Sequence, residues 1–258
     1  MKGAPVVDFS LKDKTALITG GSSGIGKEIA VTLAEHGAHC VLCSRKLEGL
    51  NRVKDLIEAR GGQATAIPCN QGDMEQIRTL FSEIRGRFGR LDILVNNAAT
   101  NPYFGDMVNA EEWAWDKTLS VNLKGPFFMI QQAARLMIEA GRGGVILNVA
   151  SINGLSPGPF QGIYSITKAG LICMTKAYAK ELAGKNIRVN ALLPGITATD
   201  FSRALLENEV TYNWAMQLTP MRRHAEPSEM AGAALYLVSN ASSYTTGALI
   251  ICDGGMTA

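Results

Sequence analysis

The sequence predicts an α/β domain: a doubly wound parallel sheet of about seven strands with helices on both faces. Three observations carry this. Short apolar runs alternate with amphipathic stretches from end to end of the 258 residues, the pattern of strands joined by helical crossovers. The runs are continuous, as in KTALIT (14–19) and in Val145 to Val149, which fits strands covered on both faces. Between the first strand and the first helix lies Gly20-Gly-Ser-Ser-Gly-Ile-Gly26, where much of the backbone carries no side chain. No linker, internal repeat or low-complexity stretch interrupts the pattern, so residues 1–258 read as a single domain.

Each element has its own signal. The strand over 14–19 enters the glycine turn, and the helix that follows, about 25–36, is closed by Gly37. A second strand (39–43) leads to a helix over 46–59 whose apolar positions are Leu47, Leu50, Val53 and Ile57, ended by Gly61-Gly62. A third strand spans 63–68. The helix over 73–88 carries Met74, Ile77, Leu80, Phe81, Ile84 and Phe88 on one stripe. A fourth strand (91–95) ends in Asn96-Asn97-Ala98-Ala99, and one helix is expected over 116–140. The fifth strand is 144–150, a helix entered at Tyr164 reaches about 183, and the sixth strand is 187–193. An irregular segment is expected to about 225, then a helix opened by Pro227 and a last strand over 248–251.

Composition excludes several classes. A net charge of +2 is too balanced for a nucleic-acid partner, and Arg85, Arg87, Arg90 and Arg222/Arg223 read as solvated faces. No apolar run reaches the ~18 residues of a membrane span. The first residues lack a signal-peptide core, so the cytoplasm is the expected location. Five cysteines show no framework spacing. Cys40 and Cys43 form a C-x-x-C, but on a strand positions i and i+3 face opposite sides, so buried reduced thiols are expected. The three histidines, His36, His39 and His224, have no ligand-like spacing, and no metal is expected.

A strand, a glycine-rich turn and a helix N-terminus together make a phosphate site, because backbone N–H groups and the helix dipole point at the anion. Gly20, Ser22, Ser23, Gly24, Ile25 and Gly26 are the candidates here. The spacing is T-G-x-x-x-G-x-G, and no Lys-Ser/Thr follows as it would in a Walker loop. About twenty residues on, a dinucleotide fold places the residue that reads the adenosine ribose. Here the strand end reads Cys43-Ser44-Arg45-Lys46. Two cations and a hydroxyl suit a 2′-phosphate, which an Asp would repel. NADP(H) is therefore favoured over NAD(H).

The second chemical centre is Ser151 to Lys168, SINGLSPGPFQGIYSITK. Ser151 arrives from a strand end. Tyr164 and Lys168, four apart, share one helix face, so a phenol, an ammonium and a hydroxyl form a candidate proton-transfer site.

With these motifs in order, namely Thr19-Gly20…Gly24-Ile25-Gly26, Asn96-Asn97-Ala98, Asn122, Ser151, Tyr164…Lys168 and Pro194-Gly195…Thr199, the chain resembles the short-chain dehydrogenase/reductase family over nearly its whole length. The resemblance implies a Rossmann-type fold and an enzyme acting on CH–OH or C=O groups. It makes Tyr164 the general acid/base, and Ser151 the partner of the substrate oxygen. Lys168 would bind the nicotinamide ribose and lower the tyrosine pKa, and Asn122 would complete a proton relay through water. Asn97 and Ala98 would lie along the adenosine half of the cofactor, and Pro194, Gly195, Thr197 and Thr199 would hold the nicotinamide end. Asn70, with Gln71 after it, stands where the family often has Asp against the adenine amino group. Ala99 stands where Gly is usual. In size, one ammonium at ~4–5 Å and an effective dielectric near 20 supplies the ~3–4 kcal/mol that a useful drop in phenol pKa requires. Pro126, lacking an N–H, deprives the Asn122 carbonyl of its helical donor and frees it to hold water.

The resemblance also makes the segment of about 196–225 the substrate loop, with Phe201, Leu205 and Trp214. Asn101, Tyr103 and Phe104 after the fourth strand, and Asn153 and Phe160 after Ser151, complete the lining. An apolar, aromatic lining suits a hydrophobic ketone, aldehyde or secondary alcohol, and the chain is similar to the family's NADP(H)-dependent carbonyl reductases. A homotetramer is implied. The alternatives are a 3-oxoacyl-thioester (acyl carrier protein) reductase, for which Arg222/Arg223 would be the basic rim, and a dinucleotide-binding regulator without turnover.

Overall fold

The computed structural model describes residues 7–258. In chain order its elements are β1 (Thr15–Thr19), α1 (Gly24–Glu35), β2 (His39–Ser44), α2 (Leu47–Ala59), β3 (Gln63–Pro68), α3 (Met74–Phe88), β4 (Ile93–Asn96), α4 (Glu112–Leu119), α5 (Gly125–Ala140), β5 (Gly144–Val149), α6 (Gly162–Leu182), β6 (Ile187–Pro194), α7 (Arg203–Glu207), α8 (Glu209–Leu218), α9 (Ala231–Val238) and β7 (Leu249–Cys252). Among the described residues the seven strands form one sheet in the order β3-β2-β1-β4-β5-β6-β7, and every pair is parallel. This is the Rossmann-type doubly wound architecture. The winding reverses between β1 and β4, which opens a crevice at their C-terminal ends.

The strands are buried on both sides because successive residues feed different cores. Ile18, Leu42 and Val95 pack with α1, α2 and α9 on one face, while Leu17, Val41 and Leu94 pack with α3, α5 and α6 on the other. Cys40 and Cys43 obey the same alternation and lie free in opposite cores. Caps explain several ends. Asp73 accepts from the N–H groups of Glu75 and Gln76, and α3 stops at Gly89 with φ 68°.

Two regions differ from expectation. The single helix over 116–140 is instead α4 and α5 joined by a π-helical turn, Ser120–Lys124, in which the Gly125 N–H bonds to the Ser120 carbonyl. The irregular segment contains α7 and α8. Asn208 caps α8 through Thr211 N at 3.0 Å, and an Asn followed by Glu209 is a helix-start signal that reading the segment as a loop passes over. Smaller shifts are that α6 begins at Gly162, and that Pro227–Met230 is a 3₁₀ turn before α9.

Candidate active site

The crevice between β1 and β4 holds the glycine turn, and close packing dictates its residues. Gly20 has φ 67° and Gly24 φ 53°, conformations that glycine adopts without strain. A Cβ on Gly26 would lie 2.4 Å from both Asn97 Nδ2 and the Gly20 carbonyl. Ser23 precedes α1 without a capping side-chain bond, so among the described residues no side-chain cap takes up the first N–H groups of the helix, the groups an anion would use. Ser22 abuts Gly49 of α2, and Thr199 from the segment after β6 lies over Gly24. Arg45 and Lys46 stand exposed at the end of β2, with no ion-pair partner among the described residues. Bare backbone, uncapped N–H groups and free cations fit a dinucleotide phosphate chain.

Several residues expected against the cofactor turn out to be braces. Asn97 Nδ2 donates to the carbonyls of Thr19 and Gly20 at 3.0 and 3.3 Å. The buried Thr19 hydroxyl accepts from the N–H groups of Asn97 and Ala98, both at 3.0 Å. Asn70 Oδ1, expected to accept from an adenine amino group, accepts from Gly72 N at 3.1 Å, which orients it and leaves its second lone pair open. Gln71 is buried, and its Nε2 donates to the carbonyls of Ala98 and Val121, so it cannot reach outward as a cofactor ligand. At the other end, Gly195 packs on the backbone of Asp253 and Thr197 Oγ1 donates to the Gly195 carbonyl at 3.1 Å. Ser202, which no motif marks, ties this segment down through Thr197 and Thr199.

Ser151, Tyr164 and Lys168 converge. The Ser151 hydroxyl accepts from Asn153 N at 3.1 Å, which fixes its rotamer at the end of β5. Gly154 allows this loop to sit on α6, since a Cβ there would lie 2.8 Å from the Lys168 carbonyl carbon. Lys168 Nζ donates to the Val149 carbonyl at 2.8 Å and lies 5.5 Å from the centre of the Tyr164 ring. Asn122 is buried. Its Oδ1 accepts from Thr100 N, and its Nδ2 donates to the Thr100 carbonyl, both at 2.8 Å. Its side chain therefore anchors the loop after β4.

Burial governs the electrostatics. It pushes the Tyr164 phenol up to about 12, with the Ser151 side chain pulling the other way. It also lowers Lys168 to about 7. This corrects the expectation that Lys168 by itself depresses the phenol. The dry site thus disfavours both the ammonium and the phenolate.

The aromatic lining is partly assembled. Phe201 lies 5.2 Å from Tyr164 between ring centres. Phe104 and Phe160 meet at 5.8 Å, and Gly105 N donates to the Phe160 carbonyl at 3.0 Å, joining the loops after β4 and β5. Tyr103 points its hydroxyl back to the Asp106 carbonyl, and Asn153 Nδ2 donates to Gln161 Oε1 at 3.0 Å. Asn101 and Leu205 are half-buried, and Trp214 is half-exposed on α8.

A doubly wound sheet with a phosphate turn at its switch point and a Ser–Tyr–Lys cluster beside it defines a dinucleotide-dependent oxidoreductase. A family profile described as Enoyl-(Acyl carrier protein) reductase matches residues 20–257. The "Dehydrogenase/reductase SDR family member 4" of Mus musculus is 38% identical over 95% of this chain and 88% of its own. The "3-oxoacyl-[acyl-carrier-protein] reductase FabG" of Thermotoga maritima is 39% identical over 95% of this chain and 98% of its own. The crystal structure of a gluconate 5-dehydrogenase from Burkholderia cenocepacia, in complex with NADP and tartrate, superposes with a TM-score of 0.93 at 33% identity, covering 97% of this chain and 98% of that one. The chain belongs to the short-chain dehydrogenase/reductase family, whose members bind a nicotinamide dinucleotide and act on CH–OH and C=O groups.

Proposed function

We propose that the protein is an NADP(H)-dependent oxidoreductase that interconverts a hydrophobic ketone or aldehyde with its alcohol, with Tyr164 as general acid/base. The observation that carries this is the buried Tyr164 phenol, with Ser151 and Lys168 beside it and Phe201 against its ring. A nicotinamide dinucleotide held by its phosphates at the glycine turn would supply the hydride. Ser151 orients the carbonyl oxygen, and Tyr164 delivers the proton to it. Lys168 and a water held by the Asn122 carbonyl would return a proton from solvent to the phenol. Lys168, beside the phenol, would lower its pKa together with the positive charge that an oxidised nicotinamide would bring.

Arg45 and Lys46 support NADP(H) over NAD(H). Fluorescence titration should show Arg45→Ala weakening NADPH by about tenfold or more, the worth of one charge-assisted hydrogen bond, with NADH little changed. Tighter binding of NADH than NADPH by the parent protein would refute the assignment.

The rival reading, reduction of a 3-oxoacyl thioester on an acidic carrier protein, draws on the Thermotoga relative. Its basic rim is weak here. Arg223 is held bidentately by Glu229, both bonds at 2.7 Å, and Arg222 donates to the carbonyls of Met216 and Gln217. The aromatic lining likewise favours an apolar substrate over a polyol. A regulator without turnover has no use for Asn122, Ser151, Tyr164 and Lys168 together. A turnover screen of apolar ketones, aldehydes, secondary alcohols and 3-oxoacyl thioesters separates the three readings; faster thioester reduction would favour the rival, and no turnover at all the regulator.

We place the protein in the cytoplasm as a homotetramer. Among the described residues no helix is long and apolar enough to cross a membrane. Trp113, Trp115, Phe127 and Ile166 on α4 to α6, and Ile251 on edge strand β7, leave apolar surface exposed of the kind that subunit contacts cover. Light scattering should give about four times the 27.6 kDa of one chain; a monomeric mass would refute it.

A further inference from the structure

We propose that Gln71 is a positioning residue of this active site, whose side-chain amide locks the π-helical turn that presents the Asn122 carbonyl. The inference rests on the proposed role of that carbonyl in proton return.

The reason lies in backbone hydrogen-bond accounting. In a regular helix the Val121 carbonyl accepts from Gly125 N–H. Here that N–H donates to the Ser120 carbonyl instead, which leaves the Val121 carbonyl without its helical donor in a buried stretch. A buried carbonyl without a donor is costly. Gln71 Nε2 supplies the missing hydrogen bond at 2.7 Å. One residue further on, Pro126 has no N–H to offer the Asn122 carbonyl. Two consecutive carbonyls thus lose their helical donors, and Gln71 satisfies the first while the second is left for the proton route. π-Turns of this kind tend to mark functional sites.

The same nitrogen donates to the Ala98 carbonyl at 2.8 Å. One amide therefore ties the cofactor-side loop after β4 to the catalytic turn. The orientation is forced, because an oxygen in that place would face two carbonyls. The price is a buried Gln71 Oε1 with no partner among the described residues. Close packing keeps the arrangement together: a Cβ on Gly125 would lie 2.3 Å from the Gln71 carbonyl oxygen, and Gly72 lies against Val121 and Ser120. If the amide is lost, Gly125 N–H is free to return to Val121, restoring the α register and turning Asn122 away.

The test compares Gln71→Met, similar in size but with no donor, with Gln71→Glu, which donates only when protonated. Each is assayed with NADPH and the best carbonyl substrate from the screen. Gln71→Met should lower kcat by about tenfold or more and enlarge the solvent deuterium isotope effect, with NADPH affinity within about threefold of the parent. Gln71→Glu should recover kcat relative to the parent as pH falls from about 8 to 6 and its carboxyl gains a proton. This second variant carries the test if Gln71→Met does not fold. A crystal structure of either variant, with the glutamate form grown at high pH, should show the Gly125 N–H bonded to Val121. An unchanged π-turn, or weakened NADPH binding with kcat retained, would overturn the proposal. A parent protein inert on every carbonyl overturns the oxidoreductase reading and the kinetic role with it, and the crystal structure then decides the lock separately.

Discussion

Tyr164→Phe is expected to lower kcat for carbonyl reduction by about 10²–10⁴-fold, the range for loss of a positioned general acid. That corresponds to roughly 3–5 kcal/mol of barrier. The ring stays, so its contact with Phe201 at 5.2 Å and the packing of α6 stay too. NADPH affinity should change by no more than a few-fold, which separates loss of the acid from loss of the cofactor. The pH dependence has a definite sign. Reduction needs the phenol protonated, so its rate holds at low pH and falls as pH rises through the phenol pKa in the complex. Oxidation needs the phenolate and shows the opposite trend. Burial pushes the phenol up to about 12 in this structure; the inflection for oxidation, run with the positively charged cofactor ring, should therefore lie below that for reduction. Substantial reduction by Tyr164→Phe would remove Tyr164 from the mechanism.

Lys168→Met is expected to abolish useful turnover and, at pH 6, to make the protein more stable than its parent. Burial lowers Lys168 from 10.5 to about 7. Below pH 7 both folded and unfolded chains hold the proton, and the full cost of a buried ammonium is present. Between about 7 and 10.5 the unfolded chain binds a proton that the folded chain does not, so stability rises with pH. Above 10.5 the cost is gone. A shift of this size is worth about 4–5 kcal/mol. Against it stands the hydrogen bond from Nζ to the Val149 carbonyl at 2.8 Å, whose loss leaves a buried acceptor unpaired at about 1–3 kcal/mol. Methionine should thus gain a few kcal/mol at pH 6, and the advantage should shrink and reverse as pH approaches 10. Urea unfolding of both proteins from pH 6 to 9.5 reads this directly; a pH-independent difference would mean that Lys168 is not buried as an ammonium. Tyr164, raised from 10.0, affects stability only above that window.

Much of the fold was legible because local chemistry and tertiary contacts agree. Leu17 and Ile18 feed opposite cores, and a continuous apolar run says as much. The glycine turn and the Tyr164/Lys168 spacing were equally plain, since a bare backbone before a helix and two side chains one turn apart are local facts. The break between α4 and α5 was only half visible. Pro126 announces a lost donor, but the register is completed by Gln71, which hydrogen-bonds a carbonyl 50 residues away. α8 announced itself through Asn208 and Glu209, yet its surroundings read as loop.

The sequence by itself determined the class of protein, an α/β dinucleotide enzyme, and pointed to its candidate proton-transfer residues and to two cations at the end of β2. These follow from residue type and spacing along one or two turns of chain. Only the tertiary structure decided what those residues are free to do. Asn97 and Gln71 have ordinary ligand chemistry, but their amides are already bonded to backbone carbonyls of other loops. Arg222 and Arg223 look like a basic rim until their partners are seen. Tyr164 and Lys168 sit four residues apart on any helix, yet the direction of both pKa shifts comes from burial by residues far along the chain. Burial and hydrogen-bond saturation are properties of neighbours in space, and no local pattern encodes them.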